Sequence, residues 1–240
     1  PEALKSTTDM MSKLVGYDRG YQSAFFSAHA WRNSLQLSLQ TFAMSVLAIG
    51  ITAIAVAITF VPAVKVPSQR TAFGDWIRSG RVCTFYFVRC VFIFTRGVPE
   101  LLWAMFVVFV LSPGILTGAI ALAIHNYGVL GKLCADLAEN IDPRPMESLK
   151  SAGAKQTQLI LYGVVPQILP TVITYLLYRW EVIIRTTVVI GFVAAGGLGR
   201  QFRLSLSWFH YDELGVILAS YIVLVLLVDV IAAQSRKFVT

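Results

Sequence analysis

Residues 33–64, 101–131 and 156–178 contain no Asp, Glu, Lys or Arg. A bilayer-crossing helix needs about 20 predominantly apolar residues, so each run is long enough to cross. The pattern predicts spans near 35–60, 95–111, 114–133, 159–178 and 213–233. Pro62 and Pro67 close the first. Pro113-Gly114 joins the second and third, which read as a helical hairpin of nearly minimal length. Residues 186–199, "TTVVIGFVAAGGLG", are apolar but too short to cross and end in glycines. That suits a re-entrant or broken segment buried in protein.

Between these runs the chain is polar or amphipathic. Residues 1–30 carry Tyr17, Tyr21, Phe25 and Phe26 among polar neighbours. They read as an extramembrane arm or interfacial segment ahead of one transmembrane domain, 31–240. In "RVCTFYFVRCVFIFTR" arginine recurs among aromatics, and residues 68–96 read as an interfacial amphipathic helix that then enters the bilayer. Arg96 and Glu100 stand at i,i+4 and are expected to pair, as are Glu181 and Arg185.

Composition sharpens the class. The chain is 56% hydrophobic and 14% charged, against about 25% charged in soluble domains. The fold class is an all-α polytopic membrane protein with five core spans. Lys and Arg collect on cytoplasmic loops. With Arg236 and Lys237 inside, the 132–158 loop and the 62–96 stretch are inside and the N-terminus is outside. Arg200 and Arg203 weaken this bias without reversing it. A net charge of +7 in such a chain is no argument for nucleic acid, and none is expected as a partner. No cleavable signal peptide is visible, and a start at Pro1 leaves room for an absent N-terminal piece.

Catalytic and cofactor motifs are missing. The nearest approach to a phosphate-binding loop, "NYGVLGKL" at 126–133, lacks the first glycine. It also has Leu133 where Ser or Thr must meet magnesium. The chain therefore carries no ATPase site. Neither HExxH, CxxC nor GxSxG occurs. Cys83, Cys90 and Cys134 lack metal-ligand spacing and read as small apolar packing residues. His29, His125 and His210 are far apart. His125 alone is kept as a pathway candidate, and no metal is expected.

One polar loop carries the functional signal. Glu147-Ser148-Leu149 is followed after three residues by Gly153, and after nine more by Gly163-Val164-Val165-Pro166. This resembles the EAA motif of ABC importer permeases: Glu-Ala-Ala, three residues, Gly, nine residues, Ile-x-Leu-Pro. Glu147, Gly153 and Pro166 match. Ser148, Leu149, Gly163 and Val165 depart. Over residues 125–199 the stretches "IHNYGVLGKL", "YGVVPQILP" and "YRWEVIIRTTVVIGFVAAGGLG" resemble the permease of phosphonate-type ABC importers.

The resemblance implies a type I ABC importer permease fold in the bacterial cytoplasmic membrane. It implies a homodimer, two cytoplasmic ATPase subunits that bind ATP and Mg, and an extracytoplasmic binding protein. Relatives often carry one further N-terminal span. The loop at about 135–158 would form a coupling helix in a groove of the ATPase. Glu147 would supply a rim charge, Leu149 an apolar knob, and Gly153 close approach or a bend. Such a helix must join its span stiffly, which explains why the polar segment runs into the apolar one without a linker. The resemblance also sets Gly191, Gly196, Gly197 and Gly199 near the outer gate and binding-protein interface.

Charges at mid-bilayer are costly, so they face a partner or a wet path. Arg185, with Arg179, suits a mildly cationic lining for a phosphonate, phosphate or phosphite. A structural ion pair with Glu181, or an interfacial anchor at Arg179-Trp180, is the other reading. An amino acid or sulfonate cargo fits the same architecture. A self-contained channel or secondary transporter would work without ATPase partners.

Overall fold

The computed structural model describes residues 7–8, 12–14, 24–64 and 75–238. Tyr17, Tyr21, Pro67, Arg70 and the first part of the 68–96 run lie outside them. Every regular element among the described residues is helical. Ahead of the first long helix, a short turn at Ala24–Phe26 is tied down where the Ala24 N–H donates to Asp212 Oδ2 at 3.2 Å.

Helix α1, Ala28–Ala63, has 36 residues, about 54 Å at 1.5 Å per residue. It therefore outreaches the bilayer's hydrocarbon core. Its buried stripe is small and hydroxylated: Ser34, Ser38, Thr41, Ser45 and Thr52 alternate with Met44, Ala48 and Val56. Those hydroxyls would be costly in an apolar core if unpaired. Ser38, Thr41 and Thr52 donate back to their own helix's carbonyls at Ser34, Leu37 and Ala48. Small size with internal satisfaction lets neighbours pack closely.

The predicted 95–111 span is not one helix. Helix α2, Asp75–Gly97, and α3, Glu100–Val110, meet at a bend of 98°. Pro99 has no N–H to give the Thr95 carbonyl. The Trp103 indole N–H serves that carbonyl instead, at 3.0 Å. The Val98 carbonyl is met by His125 Nδ1 at 3.0 Å. A carbonyl only accepts, so Nδ1 carries the proton. At 11 residues α3 is too short to cross alone, and the bent pair forms one broken span. The break also separates Arg96 from Glu100. Their expected ion pair does not form among the described residues.

Helix α4, Ile115–Glu139, runs on past the predicted end of the third span and packs against α1, α2 and α3. The hairpin is thus longer than minimal. Arg89 of α2 clamps one end: its Nε donates to the Ala63 carbonyl at 3.1 Å, and its guanidinium pairs with Asp136 and Glu139.

After helix α5, Arg144–Ser151, the chain forms a long span, Leu159–Val193, of 35 residues. It consists of a π-turn at Leu159–Val164, helix α6 at Val165–Ile190, and a second π-turn at Gly191–Ala195. The expected separate segment at 186–199 is therefore the end of this span plus the start of α7, Gly197–Ser207. Arg179, Glu181 and Arg185 interrupt the apolar run, but each finds a partner on α4 or on the last helix, so one helix continues through them. Helix α8, Tyr211–Lys237, closes the bundle against α6, α1 and α7. Three helices (α1, α6 with its π-turns, and α8) are long and apolar enough to cross, and the bent pair makes a fourth span. At 25 residues α4 also has the length. The architecture is an all-α polytopic membrane fold.

Candidate functional site

The exposed loop between α4 and α6 folds into α5. Pro143 and Pro145 suit a helix start, where a missing N–H costs nothing, and the Arg144 N–H donates to Asp142 Oδ1 at 3.0 Å. One face of α5 turns inward. Met146 and Leu149 lie over Gly163, where a Cβ would sit 3.1 Å from Met146 Cγ and 3.3 Å from Leu149 Cδ1. Met146 joins a core of Val64, Ala138, Ile160, Val164 and Ile168. Glu147, Ser148 and Lys150 face outward. Leu149 is therefore not the outward apolar knob expected of it. It is half-buried against this chain's own span, because Gly163 leaves room there.

Gly153 ends α5 in a left-handed conformation. Its φ is 83°, and a Cβ there would meet nothing within 4 Å. Within this chain it serves a bend. The Gly153 N–H donates to the Lys150 carbonyl at 3.0 Å and the Ala154 N–H to the Leu149 carbonyl at 3.1 Å. This is the left-handed glycine termination that satisfies the last carbonyls of a helix. Gly153→Ala is expected to destabilise this corner by about 1–2 kcal/mol, and Gly153→Asn by less. Limited proteolysis near 152–158 reads the effect. Equal cleavage of Gly153→Ala, Gly153→Asn and wild type would show that the backbone does not need this conformation.

Residues 152–155 are the only non-helical ones between α5 and the next helical turn, Gln156–Gln158. The Lys155 N–H donates to Gln158 Oε1 at 2.7 Å, and the Leu159 N–H to the Lys155 carbonyl at 2.9 Å. Pro166 follows the first π-turn, in which the Val165 N–H reaches back to the Ile160 carbonyl. The Gln167 side-chain amide donates to the Gly163 carbonyl at 2.6 Å. Hydrogen-bonded turns thus join α5 to α6.

A second constellation lies inside the bundle. Arg179 donates from Nε at 2.9 Å and from Nη2 at 2.5 Å to Asn126 Oδ1. Asn126 is fully buried, and its Nδ2 donates to the Leu122 carbonyl at 2.7 Å. The sequence reading missed Asn126. The available signal was a pair of polar residues, His125 and Asn126, inside a charge-free run. Trp180 anchors the next position, donating to Ser45 Oγ at 3.1 Å.

Glu181 and Arg185 do not pair with each other. Glu181, nearly buried, accepts from Arg236 Nη1 at 2.6 Å. Arg185 Nη2 donates to both Asp229 oxygens, at 3.0 and 2.8 Å. The antiparallel α8 offers each a partner of opposite charge, and two such pairs replace one weak intrahelical contact. A carboxylate thereby offsets the Arg185 charge, whereas Arg179 rests on a neutral amide.

The glycines form a corner. Gly196 and Gly197 have φ of 97° and 65°. The Leu198 N–H donates to Thr41 Oγ1 at 2.9 Å. A Cβ on Gly199 would lie 2.8 Å from Gly191 Cα, so α7 touches the end of the long span backbone to backbone. Arg203 Nη1 donates to the Phe192 carbonyl at 2.6 Å, and the Phe192 and Phe202 rings stack with centroids 5.5 Å apart.

Residues 74–239 match the family described as binding-protein-dependent transport system inner membrane component. The chain belongs to this family. It is therefore a transport subunit of the inner membrane. Among the proteins to which this permease is similar is the phosphite transport system permease protein PtxC of Stutzerimonas stutzeri. They are 34% identical over 207 residues, 86% of this chain and 71% of that one. The phosphate-import permease protein PhnE of Mycolicibacterium smegmatis is 36% identical over 62% of this chain and 28% of its own length. A putative cryptic phosphonate transport system permease protein, PhnE2 of Escherichia coli K12, is 39% identical over 49% of this chain and 97% of its own. The chain spans only about half of two further phosphite permease relatives, 54% and 55%. Among solved structures, the fold is similar to an inward-facing MetNI methionine ABC transporter chain. The TM-score is 0.61 at 17% identity, covering 87% of this chain and 95% of that one. A bacterial ABC transporter involved in alginate import gives 0.63 at 14% identity, covering 98% and 90%.

Proposed function

We propose that this chain is the permease subunit of an ATP-driven importer of phosphonate-, phosphate- or phosphite-type oxyanions, working by alternating access. A second permease copy, two cytoplasmic ATPase subunits and an extracytoplasmic binding protein complete the complex. ATP and Mg bind to the ATPase subunits, and this chain supplies the path. The observation that carries the reading is α5, a short helix with a polar outward face and an apolar face fixed to the base of the longest continuous span after α1. Closure of the ATPase pair pushes α5. The stiff junction at 152–167 turns that push into movement of α6, which opens the path toward the loaded receptor. The cargo class rests on relatives named for phosphite, phosphate and phosphonate transport and on Arg179, whose partner is neutral.

Glu147 faces outward at the centre of the proposed contact. Like-charge juxtaposition at an interface costs several kcal/mol, so Glu147→Arg is expected to cut ATPase-subunit co-purification about tenfold or more. Lys150→Glu tests the same face independently. Undiminished capture of the ATPase by both variants, with undiminished phosphite uptake, would remove α5 from the motor interface.

A further inference from the structure

We propose that a cleft at the extracytoplasmic end of the bundle receives one lysine or arginine side chain of the substrate-binding protein. This rests on the importer reading above and deepens it, by naming where and through what chemistry that partner docks.

The cleft holds about 150 Å³ and opens between the first two turns of α1, α7 and the start of α8. It lies at the end of the bundle opposite α5. The long span starts beside α5 at Leu159 and ends at Val193 beside α7. The far end of α1, at Ala63, is the end that Arg89 clamps to Glu139 of α4. With α5 toward the ATPase, the cleft faces the binding protein.

Its lining is amphipathic. Leu37 and the buried Val216 and Ile217 form an apolar floor, under a more exposed rim of His29, Asn33, Gln201 and Glu213. Among the described residues, the side chains of His29, Asn33 and Gln201 make no hydrogen bond. Glu213 Oε2 accepts from Ser205 Oγ at 2.8 Å, and Oε1 lies 3.7 Å from His210 Nδ1. No Lys or Arg among the described residues pairs with it. Glu213 is also the only Asp, Glu, Lys or Arg in the lining. The cleft therefore favours a cation and repels an oxyanion cargo.

Size and shape narrow the occupant. Small-molecule pockets hold about 300–1,000 Å³, so this cleft suits a single side chain. Lys and Arg lay a methylene stem along apolar surface and keep the charged head among polar groups. The Glu213 carboxylate and the Asn33 and Gln201 carbonyls can all accept from that head. One inserted side chain touches α1, α7 and α8 together. Because α7 rests on the end of the long span through Gly191 and Gly199, an occupied cleft braces the outer end of the span whose inner end meets α5.

The test uses the complete transporter in nanodiscs and its own purified binding protein, with and without phosphite, and reads their Kd by biolayer interferometry. All variants are compared at equal assembled-complex content by size exclusion. Glu213→Gln is expected to raise Kd about tenfold, because the cation loses its charged acceptor. Asn33→Lys places a tethered ammonium in the cleft and should raise Kd by about as much. Gln201→Glu adds a second carboxylate and should lower Kd about threefold, a gain that a damaged fold does not produce. A benzophenone side chain in place of Asn33 should cross-link to the binding protein on illumination, at a peptide containing Lys or Arg. Cross-linking to lipid alone, or an unchanged Kd in both Glu213→Gln and Asn33→Lys, would overturn the cleft as the docking point and leave the importer reading standing. A wild-type transporter that binds no binding protein in either condition would overturn the importer reading, and this site with it.

Discussion

Gly163→Ile is expected to reduce phosphite uptake about tenfold or more while the protein still folds and inserts. The new side chain would begin 3.1 Å from Met146 Cγ and 3.3 Å from Leu149 Cδ1. Overpacking of this kind costs about 1–3 kcal/mol, and about 1.4 kcal/mol is tenfold in an equilibrium. The strain is relieved by lifting α5 off the span, which breaks the mechanical connection. The motif that this loop resembles has alanine at the position of Leu149 and isoleucine at that of Gly163. The two departures are then one exchange of size: the bulk has moved from the span to α5. Leu149→Ala with Gly163→Ile should accordingly recover uptake to within about threefold of wild type, because the total volume then comes close to the original. A double variant no better than Gly163→Ile would refute the exchange.

The largest structural loss is expected from Gly199→Leu. Its Cβ would overlap the Val188 carbonyl oxygen and lie 2.8 Å from Gly191 Cα. Both obstacles are backbone, and backbone cannot swing aside as a side chain does. A cost above about 4 kcal/mol belongs to this class of clash, so little or no monodisperse protein should be recovered. Gly50→Ala is the control. Nothing lies within 4 Å of a Cβ at Gly50 in the interior of α1, and a helical alanine gains up to about 1 kcal/mol over glycine. Normal yield and melting temperature for Gly199→Leu in detergent would show that α7 does not pack on the long span as described.

The spans were legible because charge is excluded from the bilayer, and that exclusion is written position by position. The loop that folds into α5 was legible through Glu147, Gly153 and Pro166, since a glycine termination and a proline junction leave fixed spacings. The bend at Pro99 was not. Hydropathy averages over a window, and both sides of the break are apolar, so 95–111 looked continuous. The partners of Glu181 and Arg185 were missed for another reason. Spacing along one helix says nothing about Asp229 and Arg236, which only the antiparallel packing of α8 brings near. Asn126 was hidden by its neighbours: one amide does not disturb a charge-free run. Leu149 was turned the wrong way because its direction depends on Gly163, and a small residue is visible only as the space it leaves.

The long span from Leu159 to Val193 has 35 residues, about 52 Å of rise. It has a π-turn near each end, one beside α5 and one beside the glycine corner. A rod of that length tilting by 5° moves one end relative to the other by about 4.5 Å. With the bundle as its fulcrum, the inner and outer tips must travel in opposite directions. A helix that widens the passage at one membrane face thereby narrows it at the other. Mutually exclusive opening would then be a property of leverage and would need no separate latch.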